Sequence, residues 1–342
     1  MSTAHSRQTL LRLLEQGQAF SCEWRVPIGQ PGLASHLPMV LIALEGLGAT
    51  SERLGEFYDS YTPLLRPLET DEPGYTHSNW TAGLGDSRGN AWWIQFFGDE
   101  LQSQGLEKTL RTYLPKLMEG VAGSAFHPLI RLGYALDIGF EEECIHALAA
   151  WAYAWAPLAP IRLGTGRATP CEVLEQIAQT PGLVQVVDDD GLITPQIEIA
   201  RLLEGFDEVV EDVDGGELTL DNLADAAGQF YLASGGDFTA LHCVTAVHAL
   251  RYVLPFVDDP GTAVQWVWPA FCGAFISRGS PRLDWTLPEA SPSWDTICQD
   301  ALSSQDNHLI KMVYSCREET TIYGRDDRYR AMANLRIARE KA

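Results

Sequence analysis

The sequence has 342 residues, of which 46% are hydrophobic and 10% aromatic, so the chain can bury a sizeable core and is not a disordered protein. Its formal net charge of −22 at pH 7 disfavours nucleic acid and anionic membrane surfaces as partners, because binding to phosphates needs clustered Lys and Arg. The seven cysteines are scattered and never spaced C-x-x-C, which favours free thiols in a reducing compartment over a disulfide framework or a zinc ribbon.

Helix-period patterning runs along most of the chain. The N-terminus lacks the apolar segment of a secretory signal, and the most apolar long run, at 147–161, is too short and too proline-broken to span a bilayer. We therefore expect a cytoplasmic, mainly helical (all-α) protein with a single domain over residues 1–342. The clearest predicted helices cover 7–16, 36–48, 105–118, 127–139, 141–156, 241–256 and a segment that begins at His308.

Two stretches interrupt this pattern. Residues 178–235 contain DDDG, EDVDGGE and SGGD, and stacked like charge cannot lie in a core, so we expect a solvated, partly irregular acidic insertion there. LVQVV, at 183–187, is the one short β-branched run and is typical of a strand. Residues 277–295 are rich in proline and predict a second irregular connection.

The stretch NWTAGLGDSRGNAWWIQFF, at 79–97, carries two unrelated signals. Its aromatic side chains, Trp80, Trp92 and Trp93 among them, follow the first histidine helix and are candidates for the wall of a pocket for a flat substrate, although such a cluster is more often core. GDSRG matches the G-x-S-x-G pattern around Ser87, but no buried strand precedes it, which argues against a hydrolase nucleophile.

Four histidines occur near the start of four predicted helices. HLPMVLIALEGLG (36–48) and HPLIRLGYALDIG (127–139) both open with His, carry Pro in the first turn and reach Gly twelve residues after the His. His242 and His308 are placed in the same way in two later segments. A single histidine at a helix start is more often structural, but the repeated position favours a metal site inside a helical bundle.

Two further residues lie close to these histidines in the sequence. His248 follows His242 by six residues, about 600° of helix, so both cannot easily bind one ion, and we assign His248 to the layer around the ligands. Lys311 lies on the same helix face as His308. It is either a surface lysine or a buried one, and a buried neutral amine can react with carbon dioxide to form a carbamate, an anionic oxygen ligand.

Four stretches carry a family resemblance: HLPMVLIALEGLGATSERL, AFHPLIRLGYALD, TALHCVTAVHALRYVLP and DNHLIK. In this order, from about residue 30 to 320, the sequence resembles the questin oxidase-like family, fungal and bacterial proteins linked to oxidative cleavage of anthraquinone rings. The resemblance implies a helical fold and a non-haem iron held by four histidines and a carboxylated lysine. Carried over by motif, these ligands are His36, His127, His242, His308 and Lys311.

The chemistry of these donors agrees with that expectation, since imidazole and carboxylate-type ligands suit Fe(II). We therefore expect an iron-dependent oxygenase that takes dioxygen and an aromatic polycyclic substrate, anthraquinone-like or phenolic. Two alternatives stay open at this point. One is a metal-free, NADPH-dependent oxygenase of Baeyer–Villiger type, and the other is a non-catalytic helical binding protein whose histidines are structural.

Overall fold

A computed structural model describes residues 2–26, 32–70, 74–162, 166–184, 191–288 and 290–341. The prediction of an all-α fold is confirmed: within these residues the regular structure is helical apart from one two-stranded sheet. The helices are α1 (Ser2–Gly17), α2 (Leu37–Gly46), α3 (Ser51–Tyr61), α4 (Asn90–Gln104), α5 (Leu106–Leu117), α6 (His127–Ile138), α7 (Glu141–Tyr153), α8 (Pro170–Gln179), α9 (Ile193–Arg201), α10 (Phe206–Val210), α11 (Leu220–Ala233), α12 (Phe238–Val253), α13 (Pro260–Ser277), α14 (Trp294–Ser303), α15 (Asn307–Tyr323) and α16 (Asp326–Lys341).

The helices predicted from the sequence are all present, with ends that differ by a few residues. The largest shift is at α1, which begins at Ser2 rather than at Arg7. Helix α12 begins at Phe238 rather than near Leu241, because the Asp237 side chain accepts hydrogen bonds from the N–H groups of Thr239 and Ala240. Such a cap fixes the first turn of a helix by satisfying backbone donors that have no helical partner. His242 is therefore the fifth residue of its helix and not the first.

The centre of the fold is formed by α2, α6, α12 and α15. Helix α2 packs on α6 and α15, and α12 packs on α6 and α15. The crossing of α6 and α12 is close, since a Cβ added at Gly133 would lie 2.6 Å from the Ala249 Cα. Eight consecutive residues of α2, Leu37 to Leu44, are buried. The four helices that carry the candidate histidines thus form one packed core.

The sheet is short and lies next to this core. β1 (Phe20–Trp24) pairs antiparallel with β2 (Leu65–Pro67), with Phe20 opposite Pro67 and Trp24 opposite Leu65. The other edge of β1 contacts the segment before α2: Glu23 and Ala34 form an isolated antiparallel bridge. The chain therefore enters α2 from a segment that β1 holds in place.

The acidic segment 178–235 contains more regular structure than its charge runs predict. Helices α9, α10 and α11 lie within it, α9 packs against α13, and α11 packs against α12. In the predicted strand LVQVV, Leu183 ends a 3-10 turn, and residues 185–187 lie outside the described residues, as do 188–190 of DDDG. The segment can be helical despite its charge because apolar faces such as that of α11 are buried, while the described acidic side chains are exposed or half-buried.

In the described residues every cysteine is a free thiol, in agreement with the scattered spacing. None of the described helices has both the length and the apolar character that crossing a bilayer requires.

Candidate active site

The four predicted histidines come together in space. The ring centroids of His36 and His127 are 4.5 Å apart, those of His36 and His308 are 4.6 Å apart, and those of His127 and His242 are 4.9 Å apart. The rings of His242 and His308 are 5.1 Å apart. For three of them, His36, His127 and His308, the nitrogen atoms lie within 4.8 Å of one another. We call these four residues the histidine cluster.

Helix starts position three members of the cluster. His36 is the residue before α2, and its backbone N–H donates to the Tyr61 hydroxyl at 2.8 Å. His308 is the second residue of α15, and Asp306 caps that helix by accepting hydrogen bonds at 2.8 Å from the N–H groups of His308 and Leu309. The second carboxylate oxygen of Asp306 is held by Arg336. Hydrogen bonds to the backbone N–H groups therefore fix the main chain from which these two imidazoles project.

A strained turn positions His127, the first residue of α6. Ser124, Ala125 and Phe126 all have positive φ angles, of 48°, 56° and 65°. This region of backbone space is unfavourable for residues with a Cβ, and such strain persists where surrounding structure fixes it. Here the Ala125 N–H donates to Thr194 Oγ1 at 3.0 Å, and Thr194 Oγ1 donates to the Ala122 carbonyl at 2.7 Å. Helix α9 of the acidic segment thus supports a member of the cluster.

Hydrogen bonds leave one nitrogen of each of two histidines free to accept. His127 Nδ1 lies 2.5 Å from the Ser124 carbonyl and His242 Nδ1 lies 2.7 Å from the Phe238 carbonyl, so both Nδ1 atoms carry a proton. A backbone carbonyl on one ring nitrogen is the usual partner of a histidine whose other nitrogen binds a metal. The Nε2 atoms of both residues are buried and have no hydrogen-bond partner.

The same lack of a partner extends over the whole cluster and Lys311. His36 Nδ1, His308 Nε2 and Lys311 Nζ are also buried without a hydrogen-bond partner. Lys311 is fully buried, so the alternative of a surface lysine is wrong. An unpaired buried polar atom costs about 1–3 kcal/mol, and five in one place call for an explanation by a ligand that is not part of the chain.

Burial keeps the four imidazoles uncharged near neutral pH and leaves a large fraction of Lys311 as the neutral amine. Burial, and next the nearby Lys311, hold the pKa of His36, His127 and His308 well below the usual range of histidine. The same two causes lower the pKa of His242 to about 3. Burial also lowers the pKa of Lys311 to about 7, against an opposing effect of Asp306. Neutral imidazole and neutral amine are the forms that bind a metal ion or react with carbon dioxide.

The donor set fits a divalent metal ion. Imidazole nitrogens with fixed tautomers are good ligands for first-row transition metals, and no thiolate lies among these donors to favour zinc or an iron–sulfur cluster. The fit depends on the unpaired nitrogens of the chain and on the mutual distances of the His36, His127 and His308 nitrogens. Lys311 is close enough to lower the pKa of all four imidazoles, which makes its amine a candidate for a fifth donor.

His248 belongs to a different polar group. Its Nδ1 lies 2.7 Å from Glu319 Oε1 and 3.2 Å from Arg251 Nη2, and its ring contacts Tyr134, 5.8 Å away between centroids. Tyr134 in turn donates to the Lys311 carbonyl at 3.3 Å. His248 is thus separated from the cluster by Tyr134, in accord with the prediction that His242 and His248 do not share one ion.

A cleft of about 1450 Å³ opens onto the cluster, and all four histidines line it. Phe238 stands beside them with its ring 4.4 Å from His308 and 4.7 Å from His242, and it is 49% exposed. Trp24, Tyr153 and Trp155 add further aromatic surface, and Thr194 and Gln196 come from α9. Apolar walls with a few polar groups are typical of sites for small organic molecules.

The three tryptophans predicted for the cleft are elsewhere. The described lining of the cleft does not include Trp80, Trp92 or Trp93. Trp93 is fully buried, and the three rings pack with Phe96, Phe97 and Tyr113 at centroid distances such as 5.1 Å for Trp80 and Tyr113. As assigned wall residues they are corrected: Trp93, on α4, is in the core, and Trp92, also on α4, and Trp80, in the preceding 3-10 helix, are partly buried against it.

Ser87 lies at the edge of the cleft, but the backbone before it lacks the strand of a hydrolase nucleophile motif. A 3-10 helix, His77–Gly83, precedes the GDSRG motif in place of a strand, and Ser87 is exposed. The nucleophile motif requires a strand directly before its serine, so the sequence argument against a hydrolase is confirmed.

Among the cleft residues that the sequence analysis missed, only Phe238 could have been found from a sequence pattern. Phe238 and His242 are four residues apart, a spacing that places two side chains on one helix face, so their contact could be predicted once the helix start was known. Glu23, Trp24 and Tyr153 reach the cleft only through tertiary packing.

Comparison with known proteins adds one finding. The family model described as questin oxidase-like matches residues 33–316, which include all four histidines and Lys311. No curated protein sequence matches the chain significantly.

Proposed function

Because the chain belongs to the questin oxidase-like family, of oxygenases that act on aromatic substrates, we propose that it is a non-haem iron-dependent oxygenase for a polycyclic, anthraquinone-like or phenolic compound. The observation that carries the proposal is the group of five buried nitrogen atoms without hydrogen-bond partners. The histidine cluster, which lines the cleft, contributes four of them, and Lys311, on the helix of His308, contributes the fifth.

The histidine cluster and Lys311 would hold the ion. When bound, Fe(II) supplies the redox chemistry that allows dioxygen to react with an organic substrate. The neutral imidazoles are ready to donate their free nitrogens, and the Ser124 and Phe238 carbonyls keep His127 and His242 in the required tautomer. A carbamate on Lys311 would add an anionic oxygen donor, and the lowered pKa of its amine favours that modification.

The cleft would bind and orient the substrate. Phe238 presents an exposed ring next to two members of the cluster, so a flat aromatic molecule can stack on it and place one edge at the histidines. The volume of about 1450 Å³ is larger than most small-molecule sites and has room for a fused-ring system. His36, His127 and His242 are buried, and a substrate bound in the cleft would displace water from the cluster, which would strengthen electrostatic interactions there.

Metal analysis tests the proposal directly. Protein purified without chelator should contain near-stoichiometric iron, and His308→Ala and Lys311→Ala should each lose it. His146→Gln is the matched control, since His146 is also a buried histidine of low pKa, about 3, but lies outside the cluster. This control should retain its iron.

Two results would overturn the proposal. One is a metal-free protein whose unfolding temperature is unchanged by added Fe(II). The other is oxygenation of a quinone by the metal-free protein at the expense of NADPH, which would favour the metal-free type of oxygenase.

A further inference from the structure

Glu23 is a carboxylate in the wall of the cleft whose position relative to the histidine cluster is fixed by backbone structure. Glu23 bridges to Ala34, and the flanking Trp24 N–H donates to the Leu33 carbonyl at 2.8 Å. On the other side, the Ser35 N–H donates to the Cys22 carbonyl at 2.8 Å. The next residue of that segment is His36, so β1 and the first histidine are parts of one backbone ladder.

The carboxyl group itself is packed on a glycine. A Cβ added at Gly32 would lie 2.5 Å from both the carboxyl carbon and Oε2 of Glu23, so any larger residue at position 32 would displace the carboxylate. A residue larger than glycine at position 32 therefore offers a way to move this carboxylate without removing it.

The charged and titratable groups that face Glu23 are Tyr153, Arg66 and Cys22. Burial raises the pKa of Glu23, while Tyr153 and Arg66 oppose this effect. Tyr153 donates a hydrogen bond to the Glu23 carboxylate, and Arg66, an exposed side chain that also pairs with Glu69 at 3.7 Å, acts on it through charge alone. A carboxylate can accept several hydrogen bonds, so the one from Tyr153 does not saturate it. Glu23 thus keeps the capacity to accept a hydrogen bond from a molecule in the cleft.

A small cavity adjoins the cleft at Glu23. It has a volume of about 20 Å³ and is lined by Glu23, Tyr153, Arg131 and His127 among others. A cavity of this size and polarity holds about one water molecule. Arg131 cannot neutralise Glu23 because its guanidinium is engaged with the buried Glu143. Glu23 therefore lies beside a space in which a water molecule can exchange a proton with its carboxyl group.

We propose that Glu23 is a catalytic base that takes the proton of a phenolic hydroxyl group, so that the substrate is a hydroxylated aromatic compound that reacts as its phenolate. In this step the O–H bond breaks, its electron pair stays on the phenolic oxygen, and the proton forms the neutral carboxylic acid of Glu23, with no change of oxidation state. The inference rests on the proposed function, because it names the substrate class of the same cleft. General bases of this kind contribute about 10²–10⁴-fold to rate.

Ligand binding to the chelator-treated protein tests the contact without using the metal. We compare 2-hydroxyanthraquinone with 2-methoxyanthraquinone, since only the hydroxyl compound can donate to a carboxylate. Wild type should bind the hydroxyl compound about tenfold more tightly, the size expected for one hydrogen bond to a charged group. In Glu23→Gln the preference for the hydroxyl compound should fall to threefold or less. Gly32→Ala retains the carboxylate but moves it, so it should also lower this preference.

Glu45→Gln is the matched control. Glu45 is another partly buried carboxylate beside an arginine, 3.5 Å from Arg7, near the opposite end of α2 from His36. It should leave the ratio unchanged. An unchanged ratio in Glu23→Gln would overturn the proposal.

Turnover by the iron-loaded protein provides the second readout. With a phenolic substrate, kcat/KM should fall about 100-fold in Glu23→Gln, and the acidic limb of its pH profile should disappear. Full activity with an unchanged pH profile would show that the base is another group while leaving the oxygenase assignment intact. A wild-type protein that binds no iron and has no oxygenase activity would instead refute the proposed function.

Discussion

Replacing Lys311 by methionine should stabilise the metal-free protein, although it removes a residue of the active site. The Lys311 amine is fully buried without a hydrogen-bond partner, and burial lowers its pKa from 10.5 to about 7. One pKa unit corresponds to 1.36 kcal/mol, so the shift corresponds to a cost of about 4 kcal/mol at pH 7. Methionine has a similar length, carries no charge and needs no partner, so Lys311→Met should recover much of this cost.

The pH dependence gives the sign of the effect. The pKa of Lys311 is lower in the folded than in the unfolded state, so between pH 7 and 10.5 the unfolded state binds more protons. The destabilisation by the lysine is therefore fully present below pH 7 and is lost as the pH rises towards 10.5. The advantage of Lys311→Met should shrink across this range.

Denaturant unfolding with chelator in bicarbonate-free buffer, at pH 7 and pH 9.5, measures both quantities. Lys108→Met is the control, because Lys108 is exposed on α5 and its replacement should change the free energy of unfolding by less than about 0.5 kcal/mol. A Lys311→Met protein less stable than wild type at pH 7, or an advantage that does not depend on pH, would refute the reasoning.

Three further substitutions separate ligand binding, positioning and core packing. Phe238→Ala should weaken binding of an anthraquinone about tenfold, measured by fluorescence quenching, whereas Leu202→Ala, at a residue 85% exposed outside the cleft, should not. Asp306→Ala removes the cap of α15 and leaves Arg336 unpaired, so the free energy of unfolding should fall by about 1–2 kcal/mol and iron retention by metal analysis should fall too. Trp93→Ala should cost about 3–5 kcal/mol in a thermal or denaturant melt while the iron content per folded molecule stays the same, and a loss of iron would contradict the core assignment.

The helices and the convergence of the histidines were predictable because both depend on local patterns. Apolar residues at helical spacing gave α2, α6, α12 and α15, and a histidine near the start of each gave four donors at the same end of neighbouring helices. The resemblance to a known family supplied the selection of Lys311. Its burial, which decides between a surface lysine and a site residue, came from the packing of α15 on α2 and α12.

The walls of the cleft were not predictable, since they depend on the direction of side chains across the tertiary structure. Trp80, Trp92 and Trp93 are near the first histidine helix in the sequence. However, α4 packs on α7 and carries Trp92 and Trp93 to the core, where Trp80 from the preceding 3-10 helix joins them. The acidic segment supplied Thr194 through α9, although its charge pattern indicated only solvated chain. Neither composition nor periodicity encodes which neighbour a helix packs against.

The way α2 and α6 begin has a consequence for the thermodynamics of the site. Unlike α12 and α15, these two helices start at His36 and His127 without a capping side chain. Each helix start carries roughly half a positive charge. A divalent cation bound among neutral imidazoles would add to this positive charge, so an anion bound nearby would stabilise the cation. Metal and anion are then linked ligands. Carbon dioxide, through the lysine carbamate, and an ionised substrate should each raise the affinity for the metal, and the metal must raise their affinity by the same factor.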